Sequence, residues 1–175
     1  MQSKVITPNF LIISTLILIA VISRFLPHPP NFTAIGAIAL FGAAHFQNKA
    51  IGFSIPLLAM LFSDILLGIH SHIIAVYVSF TLIAGIGFIL KKNLKTKNLF
   101  IASLISSIVF FLITNFSVWL ANPLYPQSII GLIECYIIAL PFGLNTLLGD
   151  FFFNASLFGG FYLAKKNIPS LSNSK

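Results

Sequence analysis

Long apolar runs constrain the fold of this chain more than any other feature of its sequence. They include residues 10–26, 50–69, 73–90 and 99–121. Each approaches the ~20 residues that a helix, rising 1.5 Å per residue, needs to cross ~30 Å of hydrocarbon. The short alternating strands typical of a membrane β-barrel do not appear. The runs therefore predict an all-α, polytopic membrane helix bundle.

Composition supports a membrane protein over a soluble domain. Of the 175 residues, 58% are hydrophobic and 7% are charged, whereas a soluble domain carries about a quarter charged residues. We expect the first apolar run to be retained as a helix, because no small-residue cleavage site follows it. The single cysteine, Cys135, excludes an internal disulfide and forms no CxxC pattern.

The lysines predict which ends of the helices face the cytoplasm. Nine of the ten basic residues are lysines at the edges of the apolar runs, and four of them lie in the loop 91–97. Short lysine-rich loops stay in the cytoplasm. Lysines at helix ends do not form a soluble basic face, so we expect no nucleic-acid partner. The partner that this pattern predicts is the lipid bilayer.

Counting outward from the loop 91–97 predicts about six spans in one integral membrane domain, 1–175. Both termini then lie in the cytoplasm, and the chain ends in a tail, 165–175. The predicted spans are 9–26, 32–47, 50–69, 71–90, 98–121 and 142–164.

Residues 128–140 form an apolar stretch that we do not count as a span. A helix of 13 residues reaches only ~20 Å, which is short for a crossing. A seventh crossing would also place Lys165 and Lys166 outside, against the positive-inside rule. We therefore predict a short re-entrant or interfacial helix on the outer side, ending at Pro141.

Small residues dominate the stretch 32–47, including Ala39 and Ala43. Small side chains let helices approach closely in lipid. Two interpretations follow: packing inside the bundle, or a surface on which a partner membrane protein docks.

All three acidic residues, Asp64, Glu134 and Asp150, lie within apolar segments. An ionisable group in such a segment is a functional-site hypothesis by default, although a structural ion pair or a helix cap is the alternative. The one arginine, Arg24, is a basic residue that the positive-inside rule does not explain. It is a candidate partner for either Asp64 or Glu134.

Other polar and aromatic residues gather at the same predicted outer side, which favours a polar cavity that opens outward. Trp119 could instead anchor the chain at the membrane interface, and His28, His70 and His72 are more typical of solvated loops than of a metal site. The candidate substrate-binding residues are Arg24, His28, Asn31, Asp64, Asn115, Trp119, Glu134, Asn145 and Asp150.

Four segments resemble a family of small bacterial membrane proteins that are assigned to transport without a characterised activity. They are RFLPHPPNFTAIGAIALFG (24–42), AMLFSDILLG (59–68), TNFSVW (114–119) and NTLLGD (145–150). That family is similar to the S components of energy-coupling-factor vitamin transporters. The resemblance implies a bacterial inner-membrane protein that captures a micronutrient from an outward-facing pocket. It also implies an energising transmembrane subunit with ATPases, docked on bilayer-facing small residues around Ala39 and Ala43.

The leading hypothesis is therefore the capture and uptake of a small-molecule substrate. A proton- or ion-coupled secondary transporter is the first alternative, because lone carboxylates in spans often relay protons. A membrane enzyme or an assembly partner is the second. No HExxH, GxSxG or P-loop motif is present, so we expect no enzyme, no metal and no cofactor.

Overall fold

The computed structural model describes residues 7–68 and 71–168, and every regular element in these ranges is a helix. The prediction of an all-helical fold is confirmed. The helices are α1 (Pro8–Ile22, followed by the 3₁₀ turn Ser23–Phe25), α2 (Ile35–His45), α3 (Lys49–Leu67), α4 (Ile73–Leu90), α5 (Thr96–Ala121) and α6 (Ile129–Asn167).

Five of these six helices are long and apolar enough to cross a membrane, and α2 is a shorter apolar helix. Side-chain caps define where three of them begin. Thr7 and Asn48 accept hydrogen bonds from the first turns of α1 and α3, and Ser128 does so for α6. These caps satisfy backbone N–H groups that have no partner inside the helix.

The break predicted at Pro141 is wrong, because α6 runs through this residue as one helix of 39 residues. The predicted outer helix 128–140 and the predicted span 142–164 are parts of that helix. A proline removes one backbone hydrogen bond, whereas two new helix ends would leave about four N–H and four C=O groups without partners. In apolar surroundings the one hydrogen bond lost at Pro141 costs less free energy than two new helix ends would.

The lysines of the described chain gather at one end of the bundle, which we call the lysine end. Lys49 begins α3, Lys91 follows α4, and Lys165 lies in the last turn of α6. Lys91 donates a hydrogen bond to the carbonyl of Phe46, just after α2. Burial, followed by the charge of Lys49, lowers the pKa of Lys91. We call the opposite end the cavity end.

Helix α2 lies at the centre of the bundle and packs against each of the other five helices. Its residues 36–44 are all buried, including Ala39 and Ala43. The expectation that these two alanines face the bilayer is therefore wrong, and the alternative of packing inside the bundle is confirmed. The small residues serve close approach: a β-carbon on Gly87 of α4 would lie 2.6 Å from the carbonyl oxygen of Leu40.

Candidate functional site

A cavity of about 440 Å³ lies at the cavity end of the bundle. We call it the upper cavity. Side chains from α2 to α6 line it, together with residues of the segment between α1 and α2, and most of them are apolar. The polar lining residues are Arg24, Asn31, Thr33, His72, Thr114, Asn115, Tyr125 and Cys135.

A narrow compartment of about 30 Å³ adjoins the upper cavity and leads toward the middle of α6. Asn31, Thr33, Phe80 and Phe110 line both spaces. The rings of Phe80 and Phe110 lie 5.4 Å apart between their centroids, so this aromatic pair stands where the upper cavity narrows. Asp150 and Thr146 line the narrow compartment beyond it.

Asp150 is buried in the centre of the bundle, with 2% of its surface exposed. The hydroxyl of Ser107 on α5 donates a hydrogen bond of 2.6 Å to its Oδ2. Its carboxyl group also lies against Gly36 in the first turn of α2, where a β-carbon would collide with Oδ1. A helix N-terminus carries partial positive charge that favours a carboxylate nearby. Gly36 is therefore required for Asp150 to occupy this place.

Arg24 and Asp64 form an ion pair, with 3.0 Å between Nη2 and Oδ1 and side-chain exposures of 12% and 2%. The arginine also donates to Ser63 through Nη1, and the hydroxyl of Tyr77 donates to Asp64 at 3.2 Å. Of the two partners that the sequence left open for Arg24, Asp64 is the one found. Arg24 lines the upper cavity, whereas Asp64 does not line it and instead holds the Arg24 guanidinium through the ion pair.

The segment between α1 and α2 is fixed onto α6 beside the upper cavity. Asn145 donates a hydrogen bond of 3.0 Å to the carbonyl of Pro30, and the ring of Phe32 packs on Phe152 and Phe153. Asn31 has a φ of 64°, a left-handed conformation that asparagine tolerates better than most residues. Asn145 thus positions this segment and does not itself line the upper cavity.

Asn115 and Cys135 meet on one wall of the upper cavity. The thiol of Cys135 lies 3.6 Å from the carbonyl oxygen of Asn115 and can donate to it. The Asn115 amide donates at 2.8 Å to the carbonyl of Phe111 in the previous turn of α5.

Trp119 lies in the last turn of α5, beside the turn that leads to α6, and does not line the upper cavity. Its indole N–H donates at 3.0 Å to the carbonyl of Pro126, and the Gln127 amide donates to the carbonyl of Trp119. The side chain therefore fixes this turn. Its expected part in substrate binding is not supported.

Two further candidates lie away from the upper cavity. His28 is exposed and its ring Nδ1 lies 3.0 Å from the carbonyl oxygen of Pro29. Glu134 is exposed on α6, on a surface that also bears Ile130, Ile133 and Ile137. The structure places neither residue in the lining of the upper cavity.

The structure adds residues to the candidates predicted from the sequence. His72 lines the upper cavity, with Nδ1 3.1 Å from the hydroxyl oxygen of Ser117. Ser103 and Ser107, one helical turn apart on α5, contact Asn154 and Asp150. Their spacing of four residues matches that of 150 and 154, which was the available sequence pattern.

No group of three or more His, Cys, Asp or Glu side chains suited to a metal ion occurs within residues 7–68 and 71–168. His70, one of the histidines considered for a metal, lies outside the described residues.

Comparison with known families gives a match over most of the chain. The model of a family described as "Family of unknown function (DUF6580)" matches residues 4–171, nearly the whole chain. No curated protein and no solved structure matches the chain.

Proposed function

We propose that this chain, which belongs to the DUF6580 family, binds a small solute in the upper cavity and takes part in moving it across a membrane. The observation that carries the proposal is the upper cavity itself, which narrows toward a buried carboxylate in the centre of a bundle of apolar helices.

The size and lining of the upper cavity suit a small metabolite. Sites for small molecules are commonly 300–1,000 Å³ in volume, mostly apolar, with a few polar groups that fix orientation. The upper cavity has about 440 Å³ and offers the Arg24 guanidinium, the Asn115 amide and the His72 ring among apolar side chains. This combination favours an amphiphilic solute with both an apolar body and polar groups.

The lysines indicate which side of the membrane the upper cavity faces. The upper cavity lies at the end of the bundle opposite Lys49, Lys91 and Lys165. The positive-inside rule places lysine-rich ends in the cytoplasm. In our proposal the upper cavity therefore opens outward, both termini are cytoplasmic, and the protein resides in a bacterial inner membrane with about six spans.

The proposal is uptake without a chemical step, so it assigns no catalytic residue. The resemblance to S components implied an energising subunit docked on Ala39 and Ala43, but both residues are buried. The proposal therefore includes no docking surface at these residues, and it does not assign the energy source to a subunit docked there.

Binding can be tested with the protein purified in mild detergent. Solutes extracted from it would be identified by mass spectrometry and then measured by thermal shift and equilibrium dialysis. Ala139 lines the upper cavity, so Ala139→Phe should fill part of it and abolish binding. Ala121 is exposed at the end of α5, so Ala121→Phe should bind like the unmodified protein. Equal loss in both variants, or full binding in Ala139→Phe, would contradict the proposed site.

A further inference from the structure

A second and larger cavity, of about 950 Å³, opens at the lysine end between α5 and α6. We call it the lower groove. Its walls are mainly apolar and aromatic, with Phe100 and Phe151 stacked at 4.7 Å between ring centroids. Lys95 and Tyr162 are among the residues that line it, and so are Ser103 and Asn154, which lie deep in the bundle.

Two polar contacts connect the lower groove to the narrow compartment below the upper cavity. Ser107 contacts Asp150 at 2.6 Å, and one helical turn closer to the lysine end Asn154 contacts Ser103 at 2.9 Å. Asp150 lines the narrow compartment, and Asn154 lines the lower groove. The four side chains are all buried. We call them the polar ladder.

The Ser107 hydroxyl has two acceptors within reach. Its oxygen lies 2.6 Å from Asp150 and 3.1 Å from the backbone carbonyl of Ser103 in the previous turn. A hydroxyl has one proton to donate and can accept as well. Ser107 can therefore donate to an ionised Asp150, or accept from a protonated Asp150 while donating toward the lysine end.

One buried polar atom of the ladder, Oδ1 of Asn154, has no protein partner. Buried polar groups without a protein partner are ordinarily hydrogen-bonded to water. This stretch of the α5–α6 interface is therefore suited to hold water between Asp150 and the lower groove.

Asp150 is the one ionisable side chain that lines the narrow compartment within the described residues. Gly36 of α2, Phe80 of α4, Ser107 of α5 and Asn31 of the connecting segment surround it without a counter-charge. Arg24, which lines the upper cavity, is paired with Asp64. On the other side, Lys95 and Tyr162 line the lower groove.

We propose that the polar ladder is a proton pathway between the upper cavity and the lower groove, with Asp150 as its proton-binding group. The inference rests on the proposed function, because the pathway begins at the cavity in which the solute is proposed to bind. It connects the two cavities through residues that lie at one helix interface.

The proton transfer proceeds in balanced steps. A hydronium ion in the narrow compartment gives its proton to the Asp150 carboxylate and leaves as water. The neutral carboxylic acid then transfers this proton to Ser107 as the Ser107 hydroxyl releases its own proton to water held near Asn154 and Ser103. The resulting hydronium ion leaves through the lower groove, and Asp150 is again a carboxylate.

The test uses the full-length protein in phospholipid vesicles that enclose a pH-sensitive dye. A potassium gradient with valinomycin imposes a membrane potential that drives protons inward, so no solute is needed. The unmodified protein should acidify these vesicles faster than protein-free vesicles acidify. Asp150→Asn keeps an acceptor for Ser107 but cannot be protonated in this range, and it should reduce the rate to that of protein-free vesicles.

Further variants separate the ladder from general damage to the fold. Ser107→Ala should slow the flux strongly, whereas Ser156→Ala removes an exposed α6 hydroxyl that bonds only its own helix and should leave the flux unchanged. Asp150→Glu should restore part of the flux. Each variant is compared only if it elutes as a single species and keeps the helical circular dichroism of the unmodified protein.

Equal flux in Asp150→Asn and the unmodified protein would overturn the inference, and so would flux no faster than in protein-free vesicles. Solute binding is measured separately. If the solute binds and no proton flux occurs, the pathway is wrong while the proposed function stands. If Asp150-dependent flux occurs and no solute binds, the pathway stands and the proposed function is wrong.

Discussion

Removing either member of the Arg24–Asp64 ion pair should destabilise the bundle by much more than removing a surface charge. At 3.0 Å and an effective dielectric constant of ~20, the gross attraction between the two charges is about 5 to 6 kcal/mol. Asp64 is 2% exposed, so Arg24→Ala leaves a buried charge without its counter-ion. Such a loss costs about 3–5 kcal/mol.

A double-mutant cycle measures this coupling directly. The free energy of unfolding would be obtained for Arg24→Ala, Asp64→Ala and the double variant, by detergent-driven unfolding followed by circular dichroism. The double variant should cost less than the sum of the single variants by at least about 2 kcal/mol, because it leaves neither charge unpaired. Lys97→Ala removes an exposed cation at the lysine end and is the matched control.

The reasoning is refuted if the coupling energy is below about 0.5 kcal/mol, the value typical of exposed pairs. It is also refuted if Lys97→Ala costs as much as Arg24→Ala.

Three further predictions concern packing and topology. Gly87→Ala should lower the free energy of unfolding by about 1–3 kcal/mol, because its β-carbon would meet the α2 backbone at 2.6 Å; Gly85→Ala, which meets nothing within 4 Å, should instead stabilise α4 by up to about 1 kcal/mol in the same measurement. Pro141→Ala should raise the melting temperature, because it restores a backbone donor inside α6; an unchanged or lower value would show that the proline has a structural role. With the native cysteine replaced by serine, Gln127→Cys should react with a membrane-impermeant maleimide in intact cells and Asn93→Cys should not; the opposite pattern would reverse the proposed orientation.

The helices themselves were largely predictable from the sequence. Apolar runs of about 20 residues have few alternatives to a helix in a bilayer. The lysines at the ends of these runs also predict which helix ends lie together at the lysine end of the bundle. The predicted break at Pro141 is wrong because it was inferred from the short length of 128–140 and from the positions of Lys165 and Lys166, and neither reflects the backbone hydrogen bonds that a continuous helix keeps. Inside an apolar bundle, continuing the helix leaves fewer backbone groups unsatisfied.

The candidate site was only partly predictable. Asp64, Glu134 and Asp150 are alike in sequence, since each is a lone acidic residue in an apolar segment. In the structure they have three different surroundings: an ion pair with Arg24, an exposed helix surface, and a narrow buried compartment. These differences arise from which helix lies opposite each residue, and hydropathy carries no information on that pairing.

The small residues of α2 illustrate the same limit. A stretch rich in glycine and alanine indicates close helix packing, but it does not indicate whether the neighbour is another protein or the same chain. Ala39 and Ala43 are buried because α2 is at the centre of the bundle.

The shortness of α2 has a consequence for how the protein is made. Eleven residues give a helix of about 16 Å, roughly half the thickness of the hydrocarbon, so the membrane alone cannot hold α2 across it during synthesis. The extended segment before it contains exposed backbone and polar side chains, which lipid does not satisfy. The helix can therefore reach its place only as α4, α5 and α6 assemble around it. We therefore expect α2 to insert late, after the helices that surround it have been made.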